Sequence, residues 1–129
     1  MTQVNAIGWF DIYVEDMDRA VNFYQTILNV ELIPLEDPTG ESVMRAFPMT
    51  DESMSQYGAL GALTKTEHSK PGPGGTIVYF NSQDCSVEES RIVDAGGVVI
   101  RPKFSIGEFG FVSVCQDTEG NIFGFNSMK

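Results

Sequence analysis

A chain of 129 residues with 42% hydrophobic side chains is the size of one domain and long enough for a real core. Its formal charge of −10, eight Lys and Arg against eighteen Asp and Glu, argues against nucleic-acid backbones and anionic lipid as partners. Two cysteines, Cys85 and Cys115, are too few for a disulfide framework. No basic segment leads into an apolar one, and no apolar run approaches about 18 residues. The expectation is a cytoplasmic protein with reduced thiols and no membrane span.

Ile7 to Val14 has the β-branched and aromatic density of a strand. Phe10, Ile12 and Val14 share one face, and Trp9, Asp11 and Tyr13 share the other. Asp16 is placed to cap a helix, since its short carboxylate can accept an orphan amide bond. Met17, Ala20, Val21, Tyr24, Ile27 and Leu28 then recur at helical spacing, and Asn29 suits a left-handed stop. That stripe should cover the Phe10, Ile12 and Val14 face. Strands are expected over 30–35, 42–48 and 57–65. Pro38 and Gly40 mark the first turn, and a polar loop is expected over 49–56. Gly58 and Gly61 are poor strand residues unless something approaches closely there.

Thr66 to Gly75, rich in Pro and Gly, reads as a linker and contains the sole histidine, His68. A strand follows over 76–81, then a weaker helix from Asp84 to Ala95, ended by Gly96 and Gly97. Further strands are expected over 98–104, 109–116 and 122–126. Pro102 assigns the first of these to an edge or a bulge. Asp117 to Asn121 reads as a tight turn, with Glu119 as a solvated charge. Cys85, near a helix start, and Cys115, within a strand, read as structural thiols.

The order of elements is the same in both halves. Asp16 to Val30 and Asp84 to Val98 are both 14 residues, each running from a cap through a helix to a new apolar run. Such a repeat predicts an internal pseudo-twofold with a cavity where the halves meet. The expected organisation is a single domain over 1–129, with modules at 6–65 and 76–127 joined by a linker at 66–75.

The segment Phe10-Asp11-Ile12-Tyr13-Val14-Glu15-Asp16-Met17-Asp18-Arg19-Ala20 with Phe23-Tyr24, the Ala95-Gly96-Gly97 stop and the Asp117-Thr118-Glu119-Gly120-Asn121 turn resemble the vicinal oxygen chelate superfamily. That group includes glyoxalase I, the bleomycin-resistance proteins and the extradiol dioxygenases. The resemblance covers nearly the whole chain. It implies an α+β fold of two tandem β-α-β-β-β modules whose curled mixed sheets enclose a cavity. In metal-dependent members, His or Glu side chains from four strands hold a divalent ion. Here those positions fall on Trp9, on Ile77 (or Thr76), near Gly61 and near Gly124, none a suitable ligand. The expectation is no metal and no other cofactor.

Alternation assigns Trp9, Asp11 and Tyr13 to the cavity wall from the first strand, and Ile77, Tyr79 and Asn81 from the fifth. Gly124 and Asn126 face the same way from the last strand. Aromatic walls, a few polar groups and volume-opening glycines suit a small organic ligand. For Asp11 three readings stand: a structural pair with Arg45, Arg101 or a lysine, a ligand contact, or a base. The chain as a whole also admits three readings. The first is a metal-free small-molecule binder, expected as a homodimer. The others are a lyase, isomerase or dioxygenase related to lactoylglutathione lyase, and an interaction homologue whose cavity is filled.

Overall fold

In a computed structural model that describes residues 7, 9–52 and 56–129, the first unit runs β1 (Trp9–Tyr13), α1 (Met17–Leu28), β2 (Ile33–Leu35), β3 (Ser42–Ala46) and β4 (Leu60–Thr66). Ala6, Gly8 and residues 53–55 of the expected polar loop lie outside the described residues. Asp16 caps α1 as its residue type requires: it is extended, and its carboxylate accepts the Arg19 amide at 3.0 Å. Asn29 ends the helix at φ 54°, the left-handed conformation that asparagine tolerates. Met17, Ala20, Phe23, Tyr24 and Ile27 are buried, and Ile12 and Leu63 join them from the sheet.

The second unit runs β5 (Val78–Asn81), α2 (Cys85–Glu89), β6 (Val98–Ser105), β7 (Phe111–Gln116) and β8 (Ile122–Ser127), with a 3₁₀ turn at Gly107–Phe109. The helix is shorter than the expected span from Asp84 to Ala95. After Glu89 the chain tightens into i→i−3 bonds, Arg91 to Glu88, Ile92 to Glu89 and Gly96 to Val93. Val87, Ile92 and Val93 are β-branched, and Ser90 turns its hydroxyl onto the Val87 carbonyl, so the local helix preference is weak. β6 is an edge strand, and its register slips on both sides of Arg101, as Pro102 predicts.

Each unit forms a four-stranded mixed sheet, ordered β1-β4-β3-β2 and β5-β8-β7-β6. β1 pairs with β4, and β5 with β8, in parallel, while the remaining neighbours are antiparallel. The expectation of curled sheets enclosing a cavity is corrected here. Both sheets are open, and among the described residues no pairing joins β1 to β2 or β5 to β6. Closure would need the first and last strands to exchange hydrogen bonds. The protein's own rings occupy the space between the units. Tyr24 and Phe47 from the first unit lie 5.9 Å and 5.5 Å from Phe80 of the second, and Phe23 lies 6.0 Å from Phe123. Ring pairs at these separations add to the area they bury.

The turn from Asp117 to Asn121 ties the units together. Asp117, 4% exposed, accepts the phenol of fully buried Tyr24 at 2.6 Å and the amides of Glu119 and Asn121 at 2.8 and 2.9 Å. The Glu119 side chain is buried, not solvated as the sequence suggested. It accepts the Glu15 and Asp16 amides at 3.0 and 2.9 Å and both arms of the Arg19 guanidinium at 2.7 and 3.0 Å. Asn121 donates to the Tyr13 carbonyl and accepts the Gly72 amide of the linker, both at 2.8 Å. Among the described residues, no helix is long and apolar enough to cross a membrane.

Candidate functional site

Where β1 of one unit meets β5 of the other, the surface opens into a groove of about 790 Å³. The alternating side chains of two edge strands converge on it. Trp9 and Asp11 come from β1, and Tyr79 and Asn81 come from β5, preceded by Ile77. Five of the residues singled out from sequence are thus brought together. Trp9 and Tyr79 are 39% and 45% exposed, so their rings stand at the opening. Phe10, Phe47 and Phe80 line its more buried part, with Phe10 and Phe80 edge to face at 6.2 Å across the seam.

Asp11 has no arginine or lysine partner among the described residues. Its Oδ1 atom instead accepts two neutral donors, Trp9 Nε1 at 3.1 Å and Thr64 Oγ1 at 3.0 Å. Thr64 is buried on β4, opposite Tyr13 in the parallel register. The carboxylate is therefore held by an aromatic edge and a hydroxyl, and among the described residues Oδ2 accepts no hydrogen bond. Asp11 also borders a second groove of about 300 Å³, lined by Tyr13, Lys70, Gly72 and Asn121 among others. Tyr13 thus faces this smaller groove.

Gly124 lies beneath a ring. A Cβ there would come within 2.6 Å of the Tyr79 ring and 2.8 Å of the Ser113 carbonyl oxygen, so glycine lets Tyr79 lie against β8. Asn126 stands opposite Asn81 in the parallel ladder and lines neither groove. Sequence alternation did not find Thr64, Tyr57, or the contribution of Phe10, Phe47 and Phe80. The groove sits at a meeting of strand edges, so both faces of β1 and β5 reach it. No local pattern marks which edges will meet.

The divalent ion implied by the family resemblance does not fit these residues. Indole, alkyl and glycine stand at the ligand positions. The register turns Gly61 towards the Phe10 ring on the helix side, away from Trp9. The space a carboxylate at position 124 would need is taken by Tyr79. His68 is exposed in the linker, 3.9 Å from Glu41. Among the described residues, no three His, Cys, Asp or Glu side chains converge into a site able to hold a metal. Cys85 and Cys115 are buried and free, and burial raises the Cys115 thiol pKa, so neither is poised as a nucleophile.

Solved structures share this architecture. A glyoxylase/bleomycin resistance protein/dioxygenase domain from Frankia sp. EAN1pec superposes with a TM-score of 0.71 at 14% identity, over 98% of this chain and 100% of that one. TnmS3, an antibiotic binding protein from Streptomyces sp. CB03234, gives 0.66 at 20% identity, over 98% of both chains. A glyoxalase I mutant from Zea mays gives 0.70 at 17% identity, with 94% of this chain covering 44% of that one. At these identities the likeness is one of fold. No curated protein matches the chain. The family model for the Glyoxalase/Bleomycin resistance protein/Dioxygenase superfamily matches residues 6–125, and the chain belongs to that superfamily.

Proposed function

We propose that the protein binds a small organic molecule in the β1–β5 groove, without a family-type metal, in the manner of a binding protein rather than a metal-dependent lyase, isomerase or dioxygenase. The observation that carries this reading is the convergence of Trp9, Asp11, Ile77, Tyr79 and Asn81 on one opening. A mostly apolar lining with a few placed polar groups is what a small-molecule site requires. Antibiotic binding by a structural neighbour of the same fold is in keeping with it. Trp9 is the single tryptophan of the chain and stands in the groove, so its emission reports occupancy directly. A library of planar organic compounds titrated against the protein should yield saturable changes in Trp9 emission. Those changes should be unaffected by EDTA and lost together with Tyr79→Ala. Compounds that bind only after Zn²⁺, Ni²⁺ or Fe²⁺ is added would overturn the reading.

We also propose a homodimer. Val98 and Ile100 on edge strand β6 are 52% and 50% exposed, and an isologous contact lets one apolar patch serve both subunits. Light scattering should give the mass of two chains across the micromolar range. The mass of one chain would refute the dimer and leave the groove untouched. Two buried free thiols suit a reducing compartment.

A further inference from the structure

We propose that the groove selects an organic cation: a protonated nitrogen carried on an apolar or aromatic body. The proposal rests on the small-molecule reading above and narrows it to a ligand class. The first reason is charge. Among the described residues lining the groove, Asp11 is the acidic one, and no Lys or Arg lines it. The second is the ring content. Trp9, Tyr57 and Tyr79 line the groove with Phe10, Phe47 and Phe80, and the face of each ring is electrically negative.

The third reason is orientation. Among the described residues, the two donors to Asp11 are both spent on Oδ1, so Oδ2 is left to accept from a ligand. The bond from Trp9 Nε1 lies in the plane of the indole. It ties the ring edge to the carboxylate and leaves the ring faces for a guest. A cation meets attraction from both kinds of group. An anion meets a carboxylate and several negative ring faces, with no cationic side chain among the described lining residues to offset them. A neutral donor gains the apolar contact and an ordinary hydrogen bond, without the charge assistance. The overall charge of −10 speeds the approach of cations but does not choose among sites, so the local arrangement carries the argument.

Three probes with one phenylethyl body test this: protonated 2-phenylethylamine, 2-phenylethanol and phenylacetate. Each is titrated at pH 7 against the wild type and Asp11→Asn, with Trp9 emission and calorimetry as readouts. The amine should bind roughly ten- to hundredfold more tightly than the alcohol, the range expected for a charge-assisted hydrogen bond. Phenylacetate should bind most weakly. Asp11→Asn should bring the amine to within about threefold of the alcohol and weaken the alcohol far less than the amine, since only the amine loses a charge-assisted bond. Should that variant fail to fold, salt dependence in the wild type serves instead: added NaCl should weaken the amine and not the alcohol. If the alcohol binds and the amine is no tighter, or phenylacetate binds best, the cation proposal fails and the small-molecule reading stands. If none of the three binds, both are overturned.

Discussion

The seam between the two units has two ends built on opposite principles. At one end, the turn from Asp117 to Asn121 reaches across to Tyr24, Arg19, the amides of Glu15 and Asp16 and the carbonyl of Tyr13. Its carboxylates, Asp117 and Glu119, are buried and accept hydrogen bonds from backbone amides, a phenol and a guanidinium, which is the condition under which buried polar groups hold structure. At the other end, β1 and β5 approach with aromatic rings half exposed, and among the described residues Asp11 Oδ2 has no protein donor. The first end spends its hydrogen-bonding capacity on the fold. The second leaves ring surface and a carboxylate oxygen uncommitted among the described residues, which is what the proposed binding site requires. The comparison teaches that acidic residues of similar appearance in the sequence, Asp11, Asp117 and Glu119, have separate tasks set by what lies across the seam.

The sharpest way to break this contrast is to empty the fastened end. Asp117→Ala removes the acceptor of the Tyr24 phenol and of two backbone amides at once, inside a buried turn. Buried donors left without partners cost about 1–3 kcal/mol each, with partial relief by water, so a loss of about 4 kcal/mol is expected. Tyr24→Phe leaves Asp117 its amide donors and should cost about 1 kcal/mol. Urea unfolding at pH 7 measures both. Equal and small losses would show that the turn is not a fastening, and the two ends would differ only in appearance.

The next test uses protons. Burial alone would raise the Glu119 carboxyl, but Arg19, the Asp16 amide, Thr118 and the Glu15 amide together hold it down to about 2, from an ordinary 4.5. A carboxyl depressed in the folded state contributes stability that is fully present above its unfolded value. That stability is lost as pH falls through the window from 4.5 towards 2. The contribution should be about 2 kcal/mol. Asp37, held low by Ser42 and Thr39, and Asp84, held low by Ser86 and Lys103, titrate in the same direction. They are present in wild type and Glu119→Gln alike, so the difference between the two proteins isolates Glu119. Stability should fall less steeply with acid in the variant, and parallel curves would assign the bridge no net role.

How far the sequence discloses this arrangement depends on the range of the interaction. The cap at Asp16, the stop at Asn29 and the alternation along β1 are local, and each is legible because one residue's chemistry meets its near neighbours. The repeat in element order is legible for the same reason. Glu119 reads as a solvated charge because its partner Arg19 is 100 positions away in the chain. Glycine at 61 reads as part of the ligand-bearing face until the pairing of Phe10 with Gly61 turns it to the other side. The openness of the sheets is set by which edges pair, and edges are not written in the pattern of any one strand.

The smallest expected effect belongs to the open end, and it sharpens the contrast from the other side. Trp9→Phe deletes the indole donor to Asp11 Oδ1 and part of an exposed wall, while Thr64 still holds that oxygen. Because the ring is 39% exposed and its hydrogen bond is at the surface, little area is returned to water. Surface changes of this kind stay within about 0.5 kcal/mol, so thermal unfolding followed by circular dichroism should nearly superimpose on the wild type. With one donor gone, the Asp11 side chain has more freedom, and the π-face beside it is smaller. Affinity for a groove ligand should therefore drop, by roughly three- to tenfold, given cation–π contacts of about 0.5–1 kcal/mol at exposed sites and one positioning hydrogen bond. A protein that keeps its stability and loses affinity separates the binding end from the fastened one. A variant that loses 2 kcal/mol or more would instead make Trp9 part of the core, and the seam would have no end free for a ligand.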